Sequence, residues 1–114
     1  MDERTQARIG RNEALFRVAN EEISELVPGS LDRFEIVCEC GHPDCRKLIS
    51  VTAEAYGHVR AESTRFFVRA DHQIEEVESV VKVVEGASKL GSYFVVEKHE
   101  GIPQLVAEVT DPRG

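Results

Sequence analysis

Three cysteines within eight residues constrain this chain more than any other feature. Cys38, Cys40 and Cys45 are its complete set of cysteines, and a glycine and a proline stand between the last two. An odd number of thiols cannot be fully paired in disulfides within one chain, whereas thiolates that converge from a tight turn are typical of a metal site. The spacing Cys-x-Cys-x4-Cys therefore predicts a metal loop. Zinc (Zn²⁺) is favoured, and the alternatives are a free or redox-active thiol cluster, an iron–sulfur cluster or another metal.

The composition is typical of a single globular domain spanning residues 1–114. The chain is 41% hydrophobic and 31% charged, and its net charge is −7. Its apolar runs are too short to cross a membrane and its first residues are polar, so we expect a cytoplasmic protein with reduced thiols and no membrane attachment. No stretch is dominated by lysine and arginine, which makes nucleic acid an unlikely partner.

The first segment, residues 5–27, has the periodicity of an amphipathic helix. Six side chains share one predicted face: Ile9, Asn12, Phe16, Ala19, Ile23 and Leu26. This stripe is expected to pack on the domain core. The alternative is self-association, because Ile9, Phe16 and Ile23 have heptad spacing. A homodimer through this helix is the simplest form of that alternative.

The remaining sequence alternates short strands and helices, in a core of residues 33–98 followed by a short helix and tail at 102–114. The predicted strands are 33–37, 47–51, 65–69 and 93–98, and the predicted helices are 53–61, 74–84 and 102–109. The helix at 74–84 rests on apolar side chains at helical spacing, and a loop is predicted for 86–92. The result is an α+β domain with a small antiparallel or mixed sheet, in which the cysteine loop forms a zinc knuckle between the first two strands.

The cysteine loop resembles the post-SET zinc motif of SET-type lysine methyltransferases. The resemblance covers the cysteine spacing, Gly41, and the residues Arg46, Lys47 and Ile49 that follow the third cysteine. It implies that the three cysteines bind zinc and that a fourth ligand comes from a distant part of the chain. It does not extend to methyltransferase activity, because none of the other motifs of that catalytic domain is present.

The whole chain is also similar to short actinobacterial proteins. In these proteins an Arg/Asn-rich first helix, a Cys-x-Cys-x4-Cys loop and an Arg-Phe-x-Val segment followed by a histidine occur in the same order. The corresponding segment here begins at Arg65 and leads to His72. This similarity implies a shared fold and brings no known activity.

His72 is the favoured fourth ligand. It follows a predicted strand at a turn, where a strand end can face the cysteine loop, and a neighbouring carboxylate of Asp71 or Glu75 would orient its ring. His58 is the second candidate, because it follows the last cysteine at a separation also found in zinc fingers. The two other histidines, which are less favoured, are His42 and His99. Water or a ligand from a partner chain is the remaining alternative.

The functional prediction is a zinc-stabilised interaction or regulatory module with a protein partner. The sequence contains no G-x-S-x-G, P-loop or dinucleotide-binding motif, and it lacks the His-x-Glu and Cys-x-x-Cys pair of zinc deaminases. The sequence thus favours a binding module over an enzyme. Two alternatives remain: a thiol–zinc redox sensor, and a nucleic-acid-binding regulator that uses four arginines of the first helix. Those arginines are Arg4, Arg8, Arg11 and Arg17.

Overall fold

The computed structural model describes residues 1–86 and 90–114, which contain three helices and five strands. In chain order these are α1 (Glu3–Leu26), β1 (Arg33–Val37), β2 (Leu48–Thr52), α2 (Ala53–Arg60), β3 (Arg65–Arg69), β4 (Glu78–Val84), β5 (Tyr93–Lys98) and α3 (Ile102–Val109). The strands form two antiparallel sheets, β1–β2 and β3–β5–β4. The predicted α+β class is confirmed, as is the position of the cysteine loop between the first two strands. The loop predicted for 86–92 lies partly outside the described residues.

Strands β3 and β5 of the three-stranded sheet are covered on both faces. Phe66 and Lys98 face α1, where the Arg17 guanidinium lies 4.5 Å from the centre of the Phe66 ring. On the opposite face, Phe67 stacks on Tyr56 of α2 at 5.7 Å between ring centres. Phe34 of β1 packs on the same tyrosine at 5.4 Å. Because strand side chains alternate in direction, the adjacent residues Phe66 and Phe67 serve two different interfaces.

Three of the six residues that helix α1 buries are polar or charged, and the predicted apolar stripe is wrong in part. Its buried residues are Ile9, Gly10, Glu13, Ala14, Arg17 and Asn20. By contrast, Phe16 and Ile23 are only half-buried and Leu26 is 84% exposed. The hydrophobic pattern was misleading because the buried polar side chains have partners inside the fold, which offset the cost of removing them from water.

Arg17 illustrates the partners that these polar side chains have inside the fold. Its guanidinium donates hydrogen bonds to the carbonyl oxygens of Ser63 at 2.5 Å and Ala107 at 2.7 Å, and its side chain is only 1% exposed. Arg17 therefore ties α1 to the turn that precedes β3 and to α3. The nucleic-acid alternative loses one of the four arginines on which it was based, since a buried guanidinium cannot contact a phosphate backbone.

Residues 78–84 form a strand, so the predicted helix at 74–84 is wrong. The chain makes a turn at Ile74, whose carbonyl oxygen accepts from the N–H groups of Val77 and Glu78. β4 then pairs with β5, with a register shift between Val80 and Lys82. Val77 is buried whereas Val81 is 46% exposed, so the two do not share a helical face. β-branched valines favour the extended backbone once a neighbouring strand is available to pair with.

Two carboxylates and one ammonium group are buried together where α1 meets this sheet. Lys98 Nζ forms ion pairs with Glu13 and with Glu78 Oε1, the latter at 2.6 Å, and all three side chains are at most 1% exposed. Burial raises the pKa of Glu13 well above its usual value, the charge of Lys98 opposes that effect, and the charge of Glu78 adds to it. The folded protein therefore binds a proton at Glu13 more tightly than the unfolded chain does.

We expect the contribution of Glu13 to the free energy of unfolding to fall as the pH rises above the ordinary glutamate pKa of about 4.5. A raised pKa in the folded state gives a stabilisation that is complete below the unfolded pKa and is lost as the pH rises through the folded pKa. The loss proceeds at up to about 1.4 kcal/mol per pH unit. Urea unfolding of the wild type and of Glu13→Gln across this range would measure it. The stability of the variant relative to the wild type should increase with pH, and a constant difference would contradict the prediction.

Candidate metal centre

The cysteine loop, Cys38–Cys45, is held against β3 by its backbone. The Cys38 N–H donates to Lys47 O at 2.9 Å and closes the β1–β2 hairpin, and the Glu39 N–H donates to Phe67 O at 2.8 Å. These bonds place the first half of the loop between the two sheets. Cys38 and Cys40 are fully buried there, and Cys45 is half-buried.

Glu39 anchors the loop from within and was not identified from the sequence. Its carboxylate forms a bidentate ion pair with Arg60 of α2, at 2.7 and 2.8 Å, and both side chains are at most 2% exposed. The same carboxylate accepts hydrogen bonds from the Phe67 N–H at 2.9 Å and from Asn20 Nδ2 at 2.8 Å. In the sequence, a glutamate between two cysteines has the features of an ordinary polar loop residue. Nothing in the neighbouring residues indicates that Glu39 is buried and ion-paired.

Glycine at position 41 is required for close packing of the loop on α1. An added Cβ would lie 2.5 Å from Ile9 Cγ2 and 3.0 Å from Ile74 Cδ1, which is closer than atoms normally approach. The Gly41 carbonyl oxygen also accepts from Asn12 Nδ2 at 3.3 Å. Gly41 does not have a positive φ, so its role is to leave room for neighbouring side chains.

A turn after β3 brings His72 to the cysteine loop. Asp71 has a φ of 69°, in the left-handed region, and the His72 N–H donates to Arg69 O at 2.9 Å. The ring nitrogen Nδ1 of His72 lies 3.7 Å from the sulfurs of both Cys38 and Cys45. A backbone N–H, that of Arg69, also points at Cys38 Sγ from 3.2 Å.

The structure thus brings together the four residues that the sequence singled out, which we call the four-ligand cluster: Cys38, Cys40, Cys45 and His72. Their ligand atoms all lie within 4.8 Å of one another. Four ligands on a tetrahedral zinc, with Zn–S near 2.3 Å and Zn–N near 2.0 Å, would be about 3.5–3.8 Å apart. The two S···N distances of 3.7 Å match this spacing. The cluster can therefore hold a metal ion.

The three thiols lie close enough together to change the pKa values of two of them. A hydrogen bond from Cys38 lowers the pKa of Cys40 to about 4, with a further lowering by His72. The same hydrogen bond, together with burial, raises the pKa of Cys38 well above its usual range. A thiolate at Cys40 supplies the negative charge that a metal cation requires, because the thiolate is the form that binds metals.

The other three histidines occupy different surroundings. His42 and His58 are exposed, and His58 lies in a groove with Val81 and Lys82. His99 Nε2 is hydrogen-bonded to Ser79 Oγ at 2.8 Å. Among the described residues, neither Asp71 nor Glu75, one of which was expected to orient the His72 ring, makes a hydrogen bond to that ring, and both are exposed.

Comparisons with known proteins identify no relative. No protein-family profile matches the chain, and neither a curated protein nor a solved structure is significantly similar to it. Within the described residues, no helix has the length and apolar character needed to cross a membrane. Functional conclusions therefore depend on the chemistry of the four-ligand cluster and on the surface of the fold.

Proposed function

We propose that this chain is a zinc-stabilised protein-interaction or regulatory module of the cytoplasm, without catalytic activity of its own. The observation that carries the proposal is the set of four protein ligand atoms within 4.8 Å. Structural zinc sites have four protein ligands, whereas catalytic sites usually have three and leave one position for water or substrate. Sulfur and imidazole ligands together favour zinc over magnesium, calcium or manganese.

The position of the cluster indicates what a bound zinc would do for the fold. Three ligands lie between β1 and β2, and the fourth follows β3, so the metal would join the two sheets at one point. In small zinc domains the metal contributes about 10 kcal/mol or more to folding. A reducing compartment keeps the thiols available for the metal, which supports the cytoplasmic assignment.

Metal analysis of the purified protein tests the proposal directly. We expect about one zinc per chain when the protein is purified under reducing conditions, and we expect a chelator to lower the melting temperature. A Cys40→Ser variant should lose the zinc and also lose the response to the chelator. Purified protein without stoichiometric zinc, or a melting temperature unchanged after zinc is removed, would overturn the proposal.

The redox-sensor alternative draws on a difference in exposure among the ligands. Cys45 is half-buried while the two other cysteines are fully buried. An oxidant would therefore reach one sulfur of the cluster before the others. This remains a second candidate function for the same site.

A further inference from the structure

The solvent-facing side of α1 carries a regular stripe that the fold leaves uncovered. Its six residues, which we call the α1 stripe, are Arg8, Arg11, Leu15, Val18, Glu22 and Glu25. All six are exposed, including Leu15 at 70% and Val18 at 40%. Their spacing alternates between three and four residues, which is the spacing of a helix–helix contact seam. The stripe lies on the side of α1 opposite its buried face.

The charges of the α1 stripe are segregated along the helix. The N-terminal half is basic, the centre is apolar, and the C-terminal half is acidic. None of its four charged side chains forms an ion pair with any residue that the structure describes. By contrast, the adjacent Glu21 is paired with Arg113 at 3.0 Å. The stripe thus combines exposed apolar side chains with charges that have no ion-pair partner among residues 1–86 and 90–114.

We propose that the α1 stripe binds the α1 stripe of a second copy of this chain, with the two helices antiparallel. The stripe is self-complementary about the midpoint between residues 16 and 17. In this arrangement Leu15 faces Val18 of the second copy, Arg11 faces Glu22, and Arg8 faces Glu25. The twofold axis repeats each contact, which is the property of an isologous interface.

Electrostatics select the antiparallel arrangement over the parallel one. A parallel pair would place arginines beside arginines and glutamates beside glutamates, which is unfavourable. Exposed ion pairs contribute little affinity, so their main effect is on orientation and register. The central Leu15 and Val18 supply the apolar contact.

The size of the contact sets its expected strength. Helix α1 has 24 residues and is therefore about 36 Å long. One pair of such helices lies at the small end of specific interfaces, so we expect a reversible dimer with a Kd of about 1–100 µM. This dimer rests on the proposed function, since it names the protein partner of the module. It does not involve the four-ligand cluster.

A competing surface is the free edge of β4, which exposes Val80, Val81 and Val83 at 38%, 46% and 53%. Two features oppose pairing at that edge. The register shift between Val80 and Lys82 distorts the strand, and the lysine places a charge on it. Both are devices by which proteins block association of sheet edges. The charge pattern of α1 has no counterpart there.

Sedimentation velocity of the intact, zinc-loaded protein from roughly 1 to 500 µM would test the dimer. We expect the wild type to dimerise within this range and Leu15→Glu to remain a monomer throughout. Arg11→Glu should weaken the dimer roughly tenfold, because like charges then face each other. The double variant Arg11→Glu, Glu22→Arg exchanges the charges in both copies, so it should restore the wild-type Kd.

The matched control is Val83→Glu, which places the same charge on the β4 edge and should leave the dimer intact. Zinc content, measured in every variant, separates this proposal from the proposed function, because Leu15→Glu should retain its zinc. A wild type that is monomeric at all concentrations would overturn the dimer. A dimer disrupted by Val83→Glu but not by Leu15→Glu, or a double variant that fails to restore association, would also overturn it.

Discussion

Replacement of His72 by alanine should lower the affinity for zinc by at least about a hundredfold. Removal of a side chain that merely orients a zinc ligand typically costs 10–100-fold, and His72 supplies a ligand atom itself. Its Nδ1 lies 3.7 Å from two cysteine sulfurs, and no other histidine belongs to the cluster formed by the described residues. Competition with a chromogenic chelator would give the affinity. The absorption spectrum of bound cobalt would report the change in coordination.

His58→Ala is the matched control for that experiment. His58 was the second candidate from the sequence, but it is exposed on α2 and lies in a groove with Val81 and Lys82. The control should retain wild-type zinc affinity and an unchanged cobalt spectrum. If His72→Ala also retained its zinc, the assignment of the fourth ligand would be wrong. If His58→Ala lost its zinc, the second candidate would be correct after all.

Replacement of Arg60 by leucine should destabilise the protein by about 3–5 kcal/mol, because it leaves a buried carboxylate without its cation. Arg60 and Glu39 are at most 2% exposed and are joined by two hydrogen bonds. For a domain of this size, a loss of that magnitude corresponds to a melting temperature lower by roughly 10–30 °C. Urea unfolding of the zinc-loaded protein would measure it.

The exposed ion pair between Arg65 and Glu97 provides the control. Its distance is also 2.7 Å, but its side chains are 43% and 36% exposed. Arg65→Leu should therefore cost less than about 1 kcal/mol. Equal losses for the two arginines would show that burial does not make the Glu39–Arg60 pair special. The further variant Glu39→Gln, Arg60→Leu should recover part of the stability, because the neutral amide can still accept from the Phe67 N–H.

Both predictions concern the cysteine loop, which His72 and Glu39–Arg60 connect to different parts of the fold. His72 approaches the cysteine loop through the turn after β3, and Arg60 holds the loop through the glutamate between its first two cysteines. The hydrogen bonds of Glu39 reach α1, α2 and β3. Much of the geometry of the cluster is therefore imposed by the protein. A site arranged in advance in this way reduces the entropy that metal binding must overcome.

The buried face of helix α1 was predicted wrongly in part from the sequence. Its heptad of Ile9, Phe16 and Ile23 predicted the face toward the core, yet the buried face includes Glu13 and Arg17. Periodicity detects apolar side chains, and it cannot detect a polar side chain whose partner is distant in the sequence. The partners here are Lys98 and the carbonyl oxygen of Ala107. As a result, the exposed stripe that we propose as a dimer contact is not the stripe that the sequence indicated.

The prediction of a helix at 74–84, where the structure has β4, was wrong for a related reason. The spacing of Ile74, Val77, Val81 and Val84 fits a helix, whereas valine itself favours an extended backbone. The helical spacing and the preference of valine predict different structures, and the local sequence does not decide between them. Pairing with β5 decides between them, and that pairing involves residues about 15 positions later in the chain.

The sequence by itself determined the α+β class, most of the short elements, and the convergence of three cysteines in one turn. Each of these depends on residues close together in the chain, whose spacing limits what the backbone can do. Tertiary structure alone decided the faces of α1, the strand at β4, and the contacts of Glu39 with Arg60 and Phe67. These depend on partners farther apart in the chain, from the 9–20 residues between β4 and its partners on β5 to the 90 residues between Arg17 and Ala107. A buried charge is stable only beside a counter-charge or hydrogen-bond acceptors, and only folding brings such partners together.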